Sequence, residues 1–458
     1  SNFIVIFVHP RMILDTDKPC AAQQIPGQSV ICVCNASYCD TITRIQPLFG
    51  TYVAYTSSEL EGGHRKPYRV WAQLHPQTLY QEIIGFGGAV TDSAGINWKS
   101  LEDSCLSSYC SKSGLEYNMI RLPMGGSDFS TRAYTYHDCE DYNLSDFNLA
   151  PEDNEYKIPL IKACMDVATS PIKILGSMWS PPLWMKTFDS YSRGYLKQEH
   201  FQTLANYYIK FLEKYNESGI PVWALTVSNE PLSRTMFGSR INSLEWTVKD
   251  MAKWIVNNLG PTLNDSAFRH VKILGCDDQR FTIPLWFNIV KHQPAALEYL
   301  SGIAVHFYYD NITPASQITL ALEAYPDKFA ISSEACAAGA PADKKVILGS
   351  WSRAELYAND IIEDLNNKVV GWIDWNMCLD VSGGPNWIDN RVDSPIIVSA
   401  DKQEFYKQPM FYAMGHFSKF VPRGSRRLKV TEIGDTLNVQ NVAFVTPQDI
   451  IVLILFNK

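Results

Sequence analysis

No run of eighteen apolar residues occurs in the 458-residue chain, so it encodes no membrane-spanning helix. Dense Lys/Arg runs are also missing, and the formal net charge is −8. This argues against a nucleic-acid partner. The nearest basic cluster, Arg423 to Lys429, is short and reads as a solvated loop. There is no His-x-x-Glu-His pattern and no dense Asp/Glu/His cluster along the chain, so no resident metal is expected and the chemistry requires no cofactor. Gly85-Phe86-Gly87-Gly88 superficially offers a phosphate-binding turn, but its spacing is wrong and no helix pattern opens on it. Repeats and low-complexity segments are absent.

What is present is apolar and aromatic. The chain is 46% hydrophobic and holds 12 Trp, 23 Tyr and 21 Phe, enough for a large core, and core packing is the first reading of any one of these rings. Its length suits one large domain and a smaller one. Of 11 cysteines, Cys20, Cys32, Cys34 and Cys39 crowd near the N-terminus. They read as a metal knuckle or as two disulfides, and the Cys-Val-Cys spacing without a nearby His disfavours zinc. The seven scattered cysteines are expected to be mostly free buried thiols. Sequons at Asn35, Asn143, Asn216, Asn264 and Asn311, together with the Cys cluster, favour the secretory pathway. Phe3–Val8 reads equally as the tail of a secretory leader or as a first strand.

From residue 80 onward, short apolar runs alternate with helical patterns. Candidate strands are 82–90, 117–125, 173–180, 222–229, 272–278, 302–310, 328–334 and 369–377. Helical periodicity marks 154–168, 201–215, 244–259, 318–325 and 353–365, with Phe201, Leu204, Tyr208, Phe211, Leu212 and Tyr215 on one face. Eight β/α units predict an α/β fold, a closed (β/α)8 TIM barrel, over an open doubly wound sheet. The expected organisation is a Cys-rich β segment at 1–45, a β-sandwich made from 46–78 plus 421–458, and a catalytic barrel at 79–420. The chain stops at a strand, and a sandwich ending there would leave an edge open, so a further C-terminal piece is expected.

Barrel chemistry sits at the C-terminal ends of strands. Those ends carry Arg121 and Asp128, Trp179, Asn229 and Glu230, His306 and Tyr308, Glu334, and Asp374, Trp375 and Asn376. Two glutamates on separate strands are what glycosidic cleavage needs: one protonates the leaving oxygen, the other attacks the anomeric carbon. Arg121, His306 and Tyr308 are expected to support the attacking carboxylate. Asn229 can bond a ring hydroxyl.

At these residues the chain resembles glycoside hydrolase family 30, in particular its acid β-glucosidase branch. The segments carrying the likeness include GFGGAVTD (85–92), YNMIRLPMGGSDFS (117–130), WSPPLW (179–184), VSNEP (227–231), SEACA (333–337), GWIDWN (371–376) and GGPNW (383–387), and CVCNASYC (32–39) matches too. The resemblance implies retaining hydrolysis of glucosylceramide, with Glu230 as acid/base and Glu334 as nucleophile. It implies glucose binding by Asp128, Trp179, Asn229, Trp375 and Asn390. It further implies the pairs Cys20–Cys32 and Cys34–Cys39, an anionic lipid surface, a saposin-type activator and a place in the lysosomal lumen. One stretch departs: in LSRTMFGSRINS (232–243), Ser239 and Ile241 stand where the family has aromatics at the site entrance. The rival readings are a related retaining glycosidase for another sugar, such as a xylanase or galactosyl-lipid hydrolase, and a non-catalytic sugar- or lipid-binding paralogue.

Overall fold

The computed structural model describes residues 2–7, 17–46, 53–59, 71–101, 104–338, 345–433 and 439–457. Eight parallel strands close into a barrel: Gly85–Ala89, Met119–Met124, Lys173–Met178, Val222–Thr226, Lys272–Gln279, Leu300–His306, Phe329–Glu334 and Val369–Asn376. They are the eight expected runs with ends moved by a few residues: strand five runs on to Gln279 and strand six begins at Leu300. GFGG, weighed as a phosphate turn, is the first barrel strand. A side chain at Gly87 would overlap the Met119 carbonyl of the neighbouring strand.

The barrel interior is built in layers. Met119, Leu175, Ala224, Leu274, Ala304 and Ile331 form a buried apolar plug. Side chains two residues apart share a face of a strand. The next inward layer is therefore Arg121, Ser177, Thr226, His306 and Ser333, all buried. Strand five breaks the count. A bulge lies between Cys276 and Asp278, and Cys276 and Asp277 both have left-handed φ (64° and 54°). The extra residue shifts the register, so Asp277 rather than Cys276 joins this polar floor. The Cys276 thiol meets Thr282 Oγ1 at 3.2 Å instead.

The helix Phe201–Glu217 buries the apolar face that its periodicity marked. The pattern at 244–259 is not one helix: Val248–Trp254 runs into a π turn at Ile255–Leu259. A π turn at Asp153–Lys157 likewise precedes the helix Ile158–Val167.

Outside the barrel, a six-stranded antiparallel sheet runs in the order 53–58, 2–7, 451–457, 439–445, 426–433, 71–82. Asn2–Phe7 is thus a strand in this sheet, paired to Ile451–Asn457, although the expected division put it in the Cys-rich segment. That pairing also removes the open edge expected of the last strand, which has Val439–Val445 on its other side. Parts of the 46–78 segment, 47–52 and 60–70, lie outside the described residues. Arg423–Lys429 is not a solvated loop. Arg426 begins a strand, and the Arg423 guanidinium donates to the carbonyls of Ile84, Pro171 and Asn118 beneath the barrel.

Residues 8–16 lie outside the described residues, and the Cys-rich segment beyond them joins a five-stranded sheet. Its strand Val30–Asn35 pairs with Glu404–Lys407, from the chain that follows the eighth barrel strand. Disulfides join Cys20 to Cys32 and Cys34 to Cys39. The other seven are mostly free and buried, as expected, with one further pair among them. Cys110 and Cys164, 54 residues apart, are also bonded, with Cα atoms 5.5 Å apart. Cys105, Cys276, Cys336 and Cys378 are free and buried, and Cys139 is free and exposed.

Candidate active site

The polar floor organises the site. Asp277 accepts hydrogen bonds from Arg121 Nη2 (2.8 Å), Thr226 Oγ1 (2.8 Å) and Ser333 Oγ (2.7 Å), and also from Ser177 Oγ. Burial alone would raise its carboxyl, but Arg121, His306 and Ser177 override burial and hold it well below the usual carboxylate range. Arg121 is fully buried and fans out from this anchor. Nη2 also donates to Asn229 Oδ1 at 2.8 Å, and Nη1 pairs with Glu334. Its guanidinium lies over the Trp179 and Trp375 rings at 4.8 and 5.5 Å, and these rings stack on each other 5.0 Å apart.

Glu334 ends strand seven. One of its oxygens faces Arg121, and the other accepts from Tyr308 OH at 2.6 Å. Burial raises the Tyr308 phenol well above its ordinary value, with Cys336 and Glu334 adding to this, so Tyr308 stays a donor. The loop carrying Tyr308 is tied down behind the site. Arg280 pairs there with Asp310 and Asp364 at 2.7 and 2.8 Å, and donates to the Thr313 carbonyl. No dense acidic cluster was visible along the sequence. The fold nonetheless brings Asp310, Asp360 and Asp364 together. Burial chiefly raises all three carboxyls against Arg280, with repulsion from cluster neighbours adding at Asp310 and Asp364.

Glu230 is delivered differently. It sits just past strand four in the left-handed region (φ 47°, ψ 48°), which costs a non-glycine residue on the order of 1–3 kcal/mol. Neighbouring strands fix the kink: Asn229 N–H donates to the Met178 carbonyl and Glu230 N–H to that of Asp277, both at 2.8 Å. Glu230 Oε1 accepts from Gln279 Nε2 at 2.7 Å and lies 3.2 Å from His306 Nδ1. One oxygen from each glutamate and a His306 nitrogen lie within 4.8 Å of one another. Such closeness suits double displacement, with carboxyls about 5–5.5 Å apart, over inversion, which needs about 6.5–9.5 Å.

Residues 83–421 match the glycosyl hydrolase family 30 TIM-barrel domain, and 424–458 match the beta sandwich domain of that family. The chain belongs to glycosyl hydrolase family 30. It is 40% identical to lysosomal acid glucosylceramidase from Mus musculus, over 96% of this chain and 90% of that protein. Among solved structures it is similar to SrfJ from Salmonella typhimurium, with a TM-score of 0.77 and 26% identity over 89% of this chain and 96% of SrfJ. It is also similar to an endo-beta1,6-glucanase, with a TM-score of 0.74 and 25% identity over 84% of this chain and 87% of that one. The family is one of glycosidases, and this chain is a glycosidase.

The other expected site residues of this family 30 chain also converge. Asp128 is buried in the loop after strand two and accepts from Asn390 Nδ2 at 2.7 Å. Its carboxyl is pushed up to about 7 by burial and by Glu334, against Asn390 and Arg234. Trp179 Nε1 is a buried donor without a partner among the described residues. Ile241 packs in the same cluster as Trp179, Trp375 and Phe129, while Ser239 Oγ closes a turn onto the Ile241 backbone. Asp374 turns away from the site to Tyr357 OH, 2.6 Å off. Four of the five sequon asparagines are exposed, and Asn35 is half-buried.

Asp277, Gln279 and Arg234 are site residues that the sequence reading missed. The strand-end rule applied to Gly275–Gln279 (GCDDQ) would have found Gln279, whereas the bulge at Cys276 and Asp277 hides Asp277 from it. Arg234 needed the helix geometry.

Proposed function

We propose that this chain is a retaining β-glucosidase that hydrolyses glucosylceramide to glucose and ceramide. Glu334 attacks the anomeric carbon while Glu230 passes its proton to the departing ceramide oxygen. Glu230 then takes a proton from water, which attacks the same carbon, releases glucose and frees Glu334. The observation carrying this reading is the pair of carboxylates within 4.8 Å in unlike surroundings: Arg121 and Tyr308 at one, Gln279 and His306 at the other. Trp179, Trp375, Asn229, Asp128 and Asn390 are the proposed glucose contacts.

The lipid aglycone is supported by the rim and by the 40% identity to a glucosylceramidase. Phe237 and Ile312 are 70% and 71% exposed, and the Phe237, Phe281 and Tyr309 rings form an edge-to-face chain beside Tyr308. No helix among the described residues is long and apolar enough to cross a membrane. The proposal therefore includes peripheral contact with an anionic lipid surface in the lysosomal lumen, helped by a saposin-type activator. With a pI near 5.6, net repulsion from anionic lipid fades at acidic pH.

The test is turnover of glucosylceramide with and without phosphatidylserine vesicles at acidic pH, across a salt series, against β-1,6-glucan oligosaccharides and aryl xylosides. Lipid-stimulated cleavage that weakens as salt rises is expected. Faster cleavage of soluble oligosaccharides, indifferent to lipid, would overturn the substrate assignment and leave the two-glutamate chemistry intact.

A further inference from the structure

The two oxygens of Glu230 are not equivalent. Oε1 is engaged by Gln279 and His306. Oε2 has no hydrogen-bond partner from the barrel strands among the described residues, so it is the oxygen free to exchange a proton with substrate. Arg234 Nη2 reaches this oxygen. The helix Pro231–Phe237 starts directly at Glu230, which places residue 234 one turn on, at i+4. Asp278 Oδ2 pins the helix start by accepting from the Leu232 and Ser233 N–H groups at 2.8 and 2.9 Å. The Arg234 side chain is 27% exposed, against 3% for Glu230, so it has a path to solvent that the carboxylate lacks.

We propose that Arg234 is a positioning residue for the acid/base: in the free enzyme it holds Oε2 of Glu230 as a carboxylate, and it withdraws toward solvent when the leaving oxygen takes its place. This rests on the reading of Glu230 as acid/base. The groups facing Glu230 are unequal to the task without Arg234. His306 on strand six is shared with Asp277. Glu334 on strand seven is a like charge, and the Arg121 of strand two is committed to Glu334, Asp277 and Asn229. Arg234 acts on the buried Asp128 carboxyl as well, lowering it against burial and Glu334. Bond cleavage needs Glu230 protonated so that Oε2–H can pass its proton to the glycosidic oxygen as the C–O bond breaks. With Arg234 in place the free enzyme takes up that proton only at lower pH. Arg234 thereby makes the optimum more acidic.

The experiment is the pH profile of kcat/KM and kcat for wild type, R234Q and R234K, on an alkyl and on an activated aryl β-glucoside. For R234Q on the alkyl glucoside, the alkaline limb of kcat/KM should rise by about one pH unit. R234K should stay with wild type. The kcat limb should move less, because Arg234 has already left Oε2 in the complex. The aryl substrate, needing little proton assistance, should show little displacement. Should R234Q not fold, R234M reads the same limb. E230Q with added azide runs alongside. Rescue by azide with an unmoved R234Q limb, or an equal displacement on both substrates, overturns the role of Arg234 alone. Absence of rescue overturns the acid/base reading and the Arg234 role together.

Discussion

The two halves of the site hold their glutamates by opposite means. Glu334 ends a barrel strand, and both its oxygens meet fixed donors: the fully buried Arg121 of strand two and the Tyr308 phenol of the loop after strand six. Behind it stands Asp277, a permanent counter-charge under the guanidinium. Glu230 sits on a left-handed kink, is held by an amide and an imidazole, and meets a cation only from a half-exposed helix. The difference matches what the two steps demand. An attacking carboxylate needs its charge throughout the cycle. An acid/base must lose and regain a proton at every turnover, so its partners must be titratable or able to leave.

Breaking the fixed half should cost most. E334Q should lower kcat by about 10⁴-fold or more on every substrate, because no leaving-group chemistry replaces the attacking oxygen. Steady-state assays on alkyl and activated aryl glucosides check this, and a loss confined to alkyl glucosides would exchange the two roles. E230Q should be selective. A loss of about 10²–10⁴-fold is expected on poor leaving groups, less on activated aryl glucosides, with azide restoring the second step. Equal losses without rescue would count against Glu230.

Finer cuts sharpen the contrast. Y308F removes one hydrogen bond to a carboxylate, for which about 1.5–3 kcal/mol is typical, so kcat should fall roughly 10- to 100-fold while the pH limbs stay put. A limb that moves with Y308F would place Tyr308 in the proton-transfer half.

Asp128 feels both halves, since Glu334 raises its carboxyl and Arg234 lowers it. Its folded-state value of about 7 lies above the ordinary 3.8. Its contribution to stability is therefore fully present below about pH 4 and lost as pH rises through about 7. Asp92, raised to about 6 chiefly by burial, acts in the same direction. The thermal midpoint should accordingly be higher at pH 5 than at pH 8, and D128N should reduce that difference. The effect at this residue is on the order of 3 kcal/mol. An unchanged difference in D128N would mean that Asp128 ionises freely in the folded site.

Much of this was legible in the chain. Apolar runs ending in Arg121, Glu230, His306 and Glu334 are strand ends of a barrel, and barrel geometry alone converges them. The family likeness carries Asp128, Trp179 and Asn390, which lie beside the pair. Asp277 was hidden because strand alternation counted from Leu274 points Cys276 inward, and the bulge that reverses this has no sequence signature of its own. Cys110 and Cys164 lie on elements brought together by tertiary packing, so their spacing carries no pattern. Asn2–Phe7 is an apolar run whose partner lies at the far end of the chain, and the open edge assigned to that partner was the missing clue.

The retaining mechanism turns on which carboxylate becomes covalently bound to sugar. Incubation with a 2-deoxy-2-fluoro-β-glucosyl fluoride, followed by mass spectrometry of the digested protein, should find one fluoroglucosyl adduct on the peptide carrying Glu334, and product analysis should find retained configuration. An adduct on Glu230 or any other residue, or an inverted product, would contradict it.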